Sequence, residues 1–293
     1  MHTSRQKAAH TCGDLPTTAA PATNPSSRKY HDQSWLIMAS LDACEGNHHS
    51  PLMSRSRSRI PGLLYLIVLL TAGVALNFVQ AQEAKRLLLI GQGPDGHPPA
   101  THEFMPGVRV MEKLLGAHKN IRITVTKADE PWPEGPALID QADGIVMFVT
   151  QGARWTKNDP QRHAARKRLA QRKYKVLETD VTVLDHDHPI ATGINNFRIN
   201  DEFYYRLDFV KPPLRVHPLL AARIEDGDET ACWSWDRPDG GRSFGFVAIH
   251  FHANWQREEY RRLVVQGILW TLGKPIPKAG VNVDIDLKVL ELK

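Results

Sequence analysis

Lys85-Arg86-Leu87-Leu88-Leu89-Ile90 runs straight into Gly91-Gln92-Gly93-Pro94-Asp95-Gly96-His97, a near-continuous apolar strand feeding a glycine loop. A helix is expected next. Thr101 and Glu103 mark its start, Met105, Val108, Met111, Leu114 and Leu115 recur at helical spacing, and Gly116 ends it. Residues 121–125 read as a second strand, 136–141 as a short helix and 144–149 as a continuous apolar strand. This βαβαβ order, with strands written as apolar runs, argues for a parallel sheet covered on both faces.

Downstream of this unit the pattern changes. Asn158-Asp159 caps a charged helix reaching Arg172, where a doubly wound fold would return to the sheet through a glycine turn. Instead the chain passes directly into residues 173–178, a strand of mixed and more exposed character. Further β-like stretches lie near 203–207, 219–224 and 242–251, and an amphipathic helix over 257–272 stops at Gly273 with Pro275 beyond. The tail over 281–292 alternates weakly and is expected to add an edge strand.

Upstream, the first 52 residues are rich in Ser, Thr, Pro, His and Ala and show no apolar period, so they read as a disordered leader. Met53 opens an abrupt change: Arg55, Arg57 and Arg59, then an apolar run from Leu63 to Leu76, then the small-residue pattern Val79-Gln80-Ala81. That is the layout of a signal peptide, with an apolar run of roughly 14 residues against the ~20 of a comfortable membrane span. The expected divisions are therefore a leader over 1–52, possessed only if translation starts before Met53, a signal over 53–81, a domain over 82–274 and a tail over 275–293. Export to a periplasm or the exterior follows, with an uncleaved membrane anchor over residues 60–80 as the alternative.

The charge balance divides in the same way. Residues 1–81 hold seven Lys/Arg against four Asp/Glu, which leaves about +2 of the chain's +5 for the rest. Such a nearly neutral domain has no electrostatic footprint for nucleic acid, and membrane contact is expected only through the N-terminal segment. Arg162, Arg166, Lys167, Arg168, Arg172 and Lys173 cluster, but as the solvated face of a helix. Cys232 is the one cysteine after residue 81, so no intramolecular disulfide is open to the domain.

Three polar groupings fall at ends of predicted strands, where α/β sheets place their sites: Thr101-His102-Glu103, Asn200-Asp201-Glu202-Phe203-Tyr204, and His250-Phe251-His252-Ala253-Asn254-Trp255. His250 and His252 are two apart on an expected strand, so both rings should share one face and suit a metal or an acid/base pair. Together with His102 and Glu202 they form a candidate site. Glu103 equally fits a first-turn carboxylate favoured by the helix dipole, and Asp201 a turn-forming residue. The glycine loop lacks the residues of a phosphate cradle, no nucleophile elbow is present, and residues 185–190 read as a turn rather than a metal site.

These residues resemble the trehalose-utilization (ThuA-like) family, which has a class I glutamine amidotransferase-like fold. The resemblance rests on residues 88–93, His102-Glu103, His188-Pro189-Ile190 with Gly193, Asp201-Glu202-Phe203-Tyr204, and Gly245-Phe246 to His250-Phe251-His252 with Asn254-Trp255. It implies a flavodoxin-like, doubly wound, mainly parallel sheet without the amidotransferase cysteine, and a role in carbohydrate metabolism on trehalose or oxidised glycosides. It also implies that a strand-helix unit usual in the family is missing after Arg172. Under this reading Glu202, Asp201 and His250 are the expected catalytic groups of a hydrolase or lyase using neither a Cys nor a Ser nucleophile. His102, Glu103, His252, Tyr204 and Trp255 would meet a small carbohydrate, and His250 with His252 would hold a divalent metal if one is used. The alternatives are a sugar-binding module without catalysis and a degenerate, truncated paralogue.

Overall fold

The computed structural model describes residues 35–40, 83–129, 131–149, 173–209 and 216–292. The expected signal over 53–81, the helix from Asn158 to Arg172 with its basic cluster, and all of the leader except 35–40 lie outside the described residues. Among the described residues, no helix is long and apolar enough to cross a membrane.

Nine strands form one sheet: β1 (Trp35–Ser40), β2 (Lys85–Gly91), β3 (Ile121–Lys127), β4 (Gly144–Val149), β5 (Lys173–Val183), β6 (Phe197–Tyr205), β7 (His217–Ile224), β8 (Gly227–Asp236) and β9 (Arg242–Phe246). Their spatial order is β3-β2-β4-β1-β9-β8-β7-β5-β6. Among the described residues the α-helices are α1 (Phe104–Leu115), α2 (Gly135–Asp140) and α3 (Glu258–Thr271).

β2 explains why the first third folds as read. Its Leu87, Leu88, Leu89 and Ile90 are all buried, and pleating sends alternate ones to opposite faces. Leu87 and Leu89 join the main core with α1, α3 and β9, whereas Leu88 and Ile90 join a smaller core with Ile145, Val149 and α2 residues. Both faces of this part of the sheet are therefore covered, each buried side chain contributing about 1.5–3 kcal/mol. Phe104, Val108, Met111 and Leu115 make the buried stripe of α1. Gly107 lets that helix approach the sheet, because a Cβ there would run into the Phe148 ring.

β3, β2 and β4 pair in parallel, and every other pairing among the described strands is antiparallel. The sheet is thus mixed rather than mainly parallel. From Lys173 onward the chain proceeds by neighbouring antiparallel strands, with polar residues outward and Val181, Val183, Phe197 and Ile199 inward. The position beside β4 is taken by β1. Trp35–Ser40 pairs antiparallel with β4 on one side and with β9 on the other. These six residues, expected to be unstructured, are therefore a strand.

The tail also departs from expectation. Val281, Val283 and Leu290 are buried, but no strand forms; the chain ends in a 3-10 turn at Leu287–Leu290. What anchors it is Gln266 of α3, fully buried, whose Nε2 donates to the carbonyls of Ile190 (2.7 Å) and Thr192 (3.0 Å) while Oε1 accepts from the Val281 N–H (2.9 Å). Tail, α3 and the turn after β5 thus meet at one side chain, and Arg261 and Arg262 of the same helix add bonds to the Val283 (2.9 Å) and Val281 (3.1 Å) carbonyls.

That turn is built as the sequence indicates. Asp185 Oδ1 accepts from the N–H groups of Asp187 (3.0 Å) and His188 (3.2 Å), an Asx arrangement. Gly193 closes it at φ +70°, where a Cβ would lie 2.5 Å from the Ala279 carbonyl oxygen. Both backbone strain and a backbone clash oppose a side chain here. Gly193→Ala is expected to lower unfolding free energy by about 2–3 kcal/mol, read as a lower urea midpoint at unchanged slope.

His188 gives the fold a pH dependence. Its Nδ1 accepts from the Ile190 N–H (3.2 Å), so Nε2 carries the proton toward Ser234 Oγ (3.3 Å). Burial, and then the neighbouring His217 stacked on its ring, lower its pKa from 6.5, with Arg242 acting the same way and Asp185 and Asp236 opposing. A folded-state pKa below the unfolded one favours the neutral ring, so the stability it contributes is present above pH 6.5 and is lost as pH falls below it. The stability of the wild type relative to His188→Gln should fall as pH drops below 6.5, read as the difference between their melting temperatures across a pH series. An equal slope in the variant would place the titration elsewhere.

Candidate active site

The glycine loop after β2 crosses to the chain leaving β9, and the two are fastened to each other. The His102 N–H donates to the His250 carbonyl (3.0 Å), the His252 N–H donates to the Ala100 carbonyl (3.0 Å), and Thr101 and Phe251 form an isolated antiparallel bridge. Ala100 and His102 reach this position with φ of +69° and +51°. Non-glycine residues held in that region are strained by about 1–3 kcal/mol, a cost the surrounding hydrogen bonds offset. Glu103 contributes to the offset: its Oε1 accepts from the Ala100 N–H (3.0 Å), which braces the loop.

The bridge sets the imidazoles of His102 and His250 edge to face, with ring centroids 4.5 Å apart. His97 lies on the other side of His102, at 3.8 Å between centroids. Asp95 organises this side: it accepts from His102 Nδ1 (2.7 Å) and from His97 Nδ1 (2.8 Å). Burial pushes its carboxyl up, but the two imidazole hydrogen bonds more than offset that and hold it well below the usual carboxylate range. Because an ionised carboxylate only accepts, both Nδ1 atoms carry protons.

β6 supplies the other side. Asp201 and Glu202 are consecutive, so the pleat sends them to opposite faces. Asp201 is fully buried among the core residues, and its oxygens accept from the N–H groups of Glu202 (2.7 Å) and His250 (2.9 Å) and from Asn254 Nδ2 (2.7 Å). Burial raises its pKa to about 7 against the pull of those donors. Asp201 therefore positions His250 and has no oxygen to offer a substrate. Glu202 faces the imidazoles, with Oε1 3.8 Å from His250 Nδ1. That nitrogen is buried and has no hydrogen-bond partner among the described residues. Burial, reinforced by the charges of His102 and His97, lowers the His250 pKa to about 4, so its ring is neutral at neutral pH.

His102, Glu202 and His250 thus converge: one donor atom from each lies within 4.8 Å of the others, and Asp95, His97 and His102 form a second such set. His252 does not join them. The chain leaves extended conformation at Phe251 and enters a 3-10 turn at His252–Gln256, so the two-residue alternation that would align His252 with His250 no longer applies. Its Nε2 donates to the Leu290 carbonyl (3.0 Å) instead, which ties the tail down. Trp255 packs on Tyr260 (5.0 Å between centroids) and Tyr204 on Tyr174 (6.1 Å), both as core rather than site residues. Cys232 is buried, its thiol pushed up by burial, and takes no part.

Asp95 and His97 are the site residues that reading the sequence alone passes over. The available signal was an acid and two histidines within eight residues at the carboxyl end of a parallel strand.

The family model described as trehalose utilisation matches residues 95–271, more than half of the chain and all five residues of the cluster. The chain belongs to the trehalose utilisation (ThuA) family. No curated protein matches this ThuA chain. Among solved structures, that of PurLQS from Thermotoga maritima is similar at 9% identity and a TM-score of 0.32, covering 64% of the ThuA chain and 97% of that chain. That likeness is too slight to bear on fold or chemistry.

Proposed function

We propose that this ThuA domain, on a class I glutamine amidotransferase-like, flavodoxin-related frame, acts on a small carbohydrate by acid–base chemistry at the His102–Glu202–His250 cluster. The convergence of these three groups from three separate segments carries the reading. Membership of a family described as trehalose utilisation supports the substrate class. Glu202 is the proton carrier: it is the cluster carboxylate not already committed to backbone donors or to imidazole. Neutral His250 beside it can accept a proton or a hydroxyl hydrogen bond, and His102, oriented by Asp95, faces the same space. We also propose export, on the strength of the segment from Met53 to Ala81, which N-terminal sequencing of fractionated protein would test.

The purified chain is expected to convert trehalose or a keto-glycoside, and His102→Ala to lose most of that turnover. Saturable binding with no product would make the domain a sugar-binding module, and absence of both would remove carbohydrate from the account.

A further inference from the structure

We infer that His102, Glu202 and His250 hold a divalent metal ion, with Asp95 as the carboxylate that aims His102 at it. The inference adds a cofactor to the proposed acid–base site and rests on that reading for the substrate alone.

Three independent observations lead to it. First, the donor atoms of the three residues lie within 4.8 Å of one another, a separation that small side-chain adjustments convert into the roughly 2 Å bonds of a zinc-type ion. Second, His250 Nδ1 is buried without a hydrogen-bond partner among the described residues, and Glu202 Oε1 stands 3.8 Å away, beyond hydrogen-bond reach. An unpaired buried nitrogen is costly, and a cation between nitrogen and carboxylate satisfies both. Third, Asp95 grips His102 through Nδ1 at 2.7 Å, which fixes the ring's orientation and its tautomer. A carboxylate behind a histidine is the usual support for a metal ligand. His97, held by the same carboxylate at 2.8 Å, is a second imidazole alongside.

Two imidazoles and one carboxylate suit Zn²⁺, Co²⁺ or Mn²⁺ and leave coordination positions open. Vicinal hydroxyls or the carbonyl of an oxidised sugar are ligands that such positions accept, so the ion would polarise the substrate where Glu202 and His250 meet it. In that form Glu202 acts as a ligand in place of the free proton carrier described above, and turnover depends on the ion.

The test uses the full chain, purified without a histidine tag, stripped with chelator and titrated with Zn²⁺ by calorimetry, with Co²⁺ absorption as a second reading. One Zn²⁺ per chain is expected. His102→Ala and His250→Ala should each weaken binding by at least about 100-fold, and Asp95→Asn by about 10–100-fold. His102→Gln and His250→Gln carry the comparison if an alanine variant does not fold. Failure of the wild type to take up one ion, or undiminished binding by folded His102 and His250 variants, overturns the proposal. Full zinc binding without any sugar turnover would instead count against the carbohydrate reading and leave the metal site standing.

Discussion

Asp201→Ala is expected to destabilise the protein by about 3–5 kcal/mol, the largest effect of any single substitution at the site. The wild-type carboxylate sits fully buried between β6 and the segment leaving β9, and it is the acceptor for two backbone N–H groups and the Asn254 amide. Removing it leaves those donors in a place water does not reach, each at about 1–3 kcal/mol before relaxation. Asn254 retains its second bond, to the Asn200 carbonyl at 2.9 Å, which limits the loss. Asp201→Asn keeps the shape and one acceptor but points an amide at the Asn254 amide, so a loss of roughly 1–2 kcal/mol is expected. Urea unfolding of the three proteins measures the series. A variant that kept its stability and lost turnover would restore Asp201 to the chemistry.

Glu202→Gln should do the reverse. The side chain is one residue along the same strand but on the opposite face, and it is bound to no backbone donor that an amide would lose. Turnover is expected to fall by about 10²–10⁴-fold, the range for removal of a positioned proton carrier, while the urea midpoint moves little. Initial rates on trehalose and on a keto-glycoside, wild type beside variant, measure it. Equal rates would remove Glu202 from the mechanism, whether as base or as ligand.

The contrast between these neighbours shows how far a sequence can be read. Adjacent carboxylates before an aromatic pair are visible as a candidate site, but which of them meets the core depends on the face β6 turns to its neighbours. His102 and His250 could be singled out as polar residues at strand ends. Asp95 could not, because its role depends on the glycine loop folding back until one carboxylate reaches two imidazoles. His252 was misplaced by extending a two-residue period past Phe251, where the strand has already ended. The apolar runs of β2 and β4 announce themselves because burial on both faces leaves no room for polar residues. Trp35–Ser40 carries no such mark: it is a strand by virtue of the edges it pairs with, and those lie far along the chain.

That pairing has a consequence for export. β4 and β9 are each bonded to β1, not to one another, so β1 alone carries the sheet's hydrogen bonding from its parallel strands to its antiparallel ones. A molecule begun at Met53, or cut after Ala81, does not include Trp35–Ser40. Its β4 and β9 would face each other across a slot one strand wide, about 9–10 Å, with two rows of unpaired amides and carbonyls. An exported form of the kind proposed would therefore lack the strand that joins the two parts of its sheet.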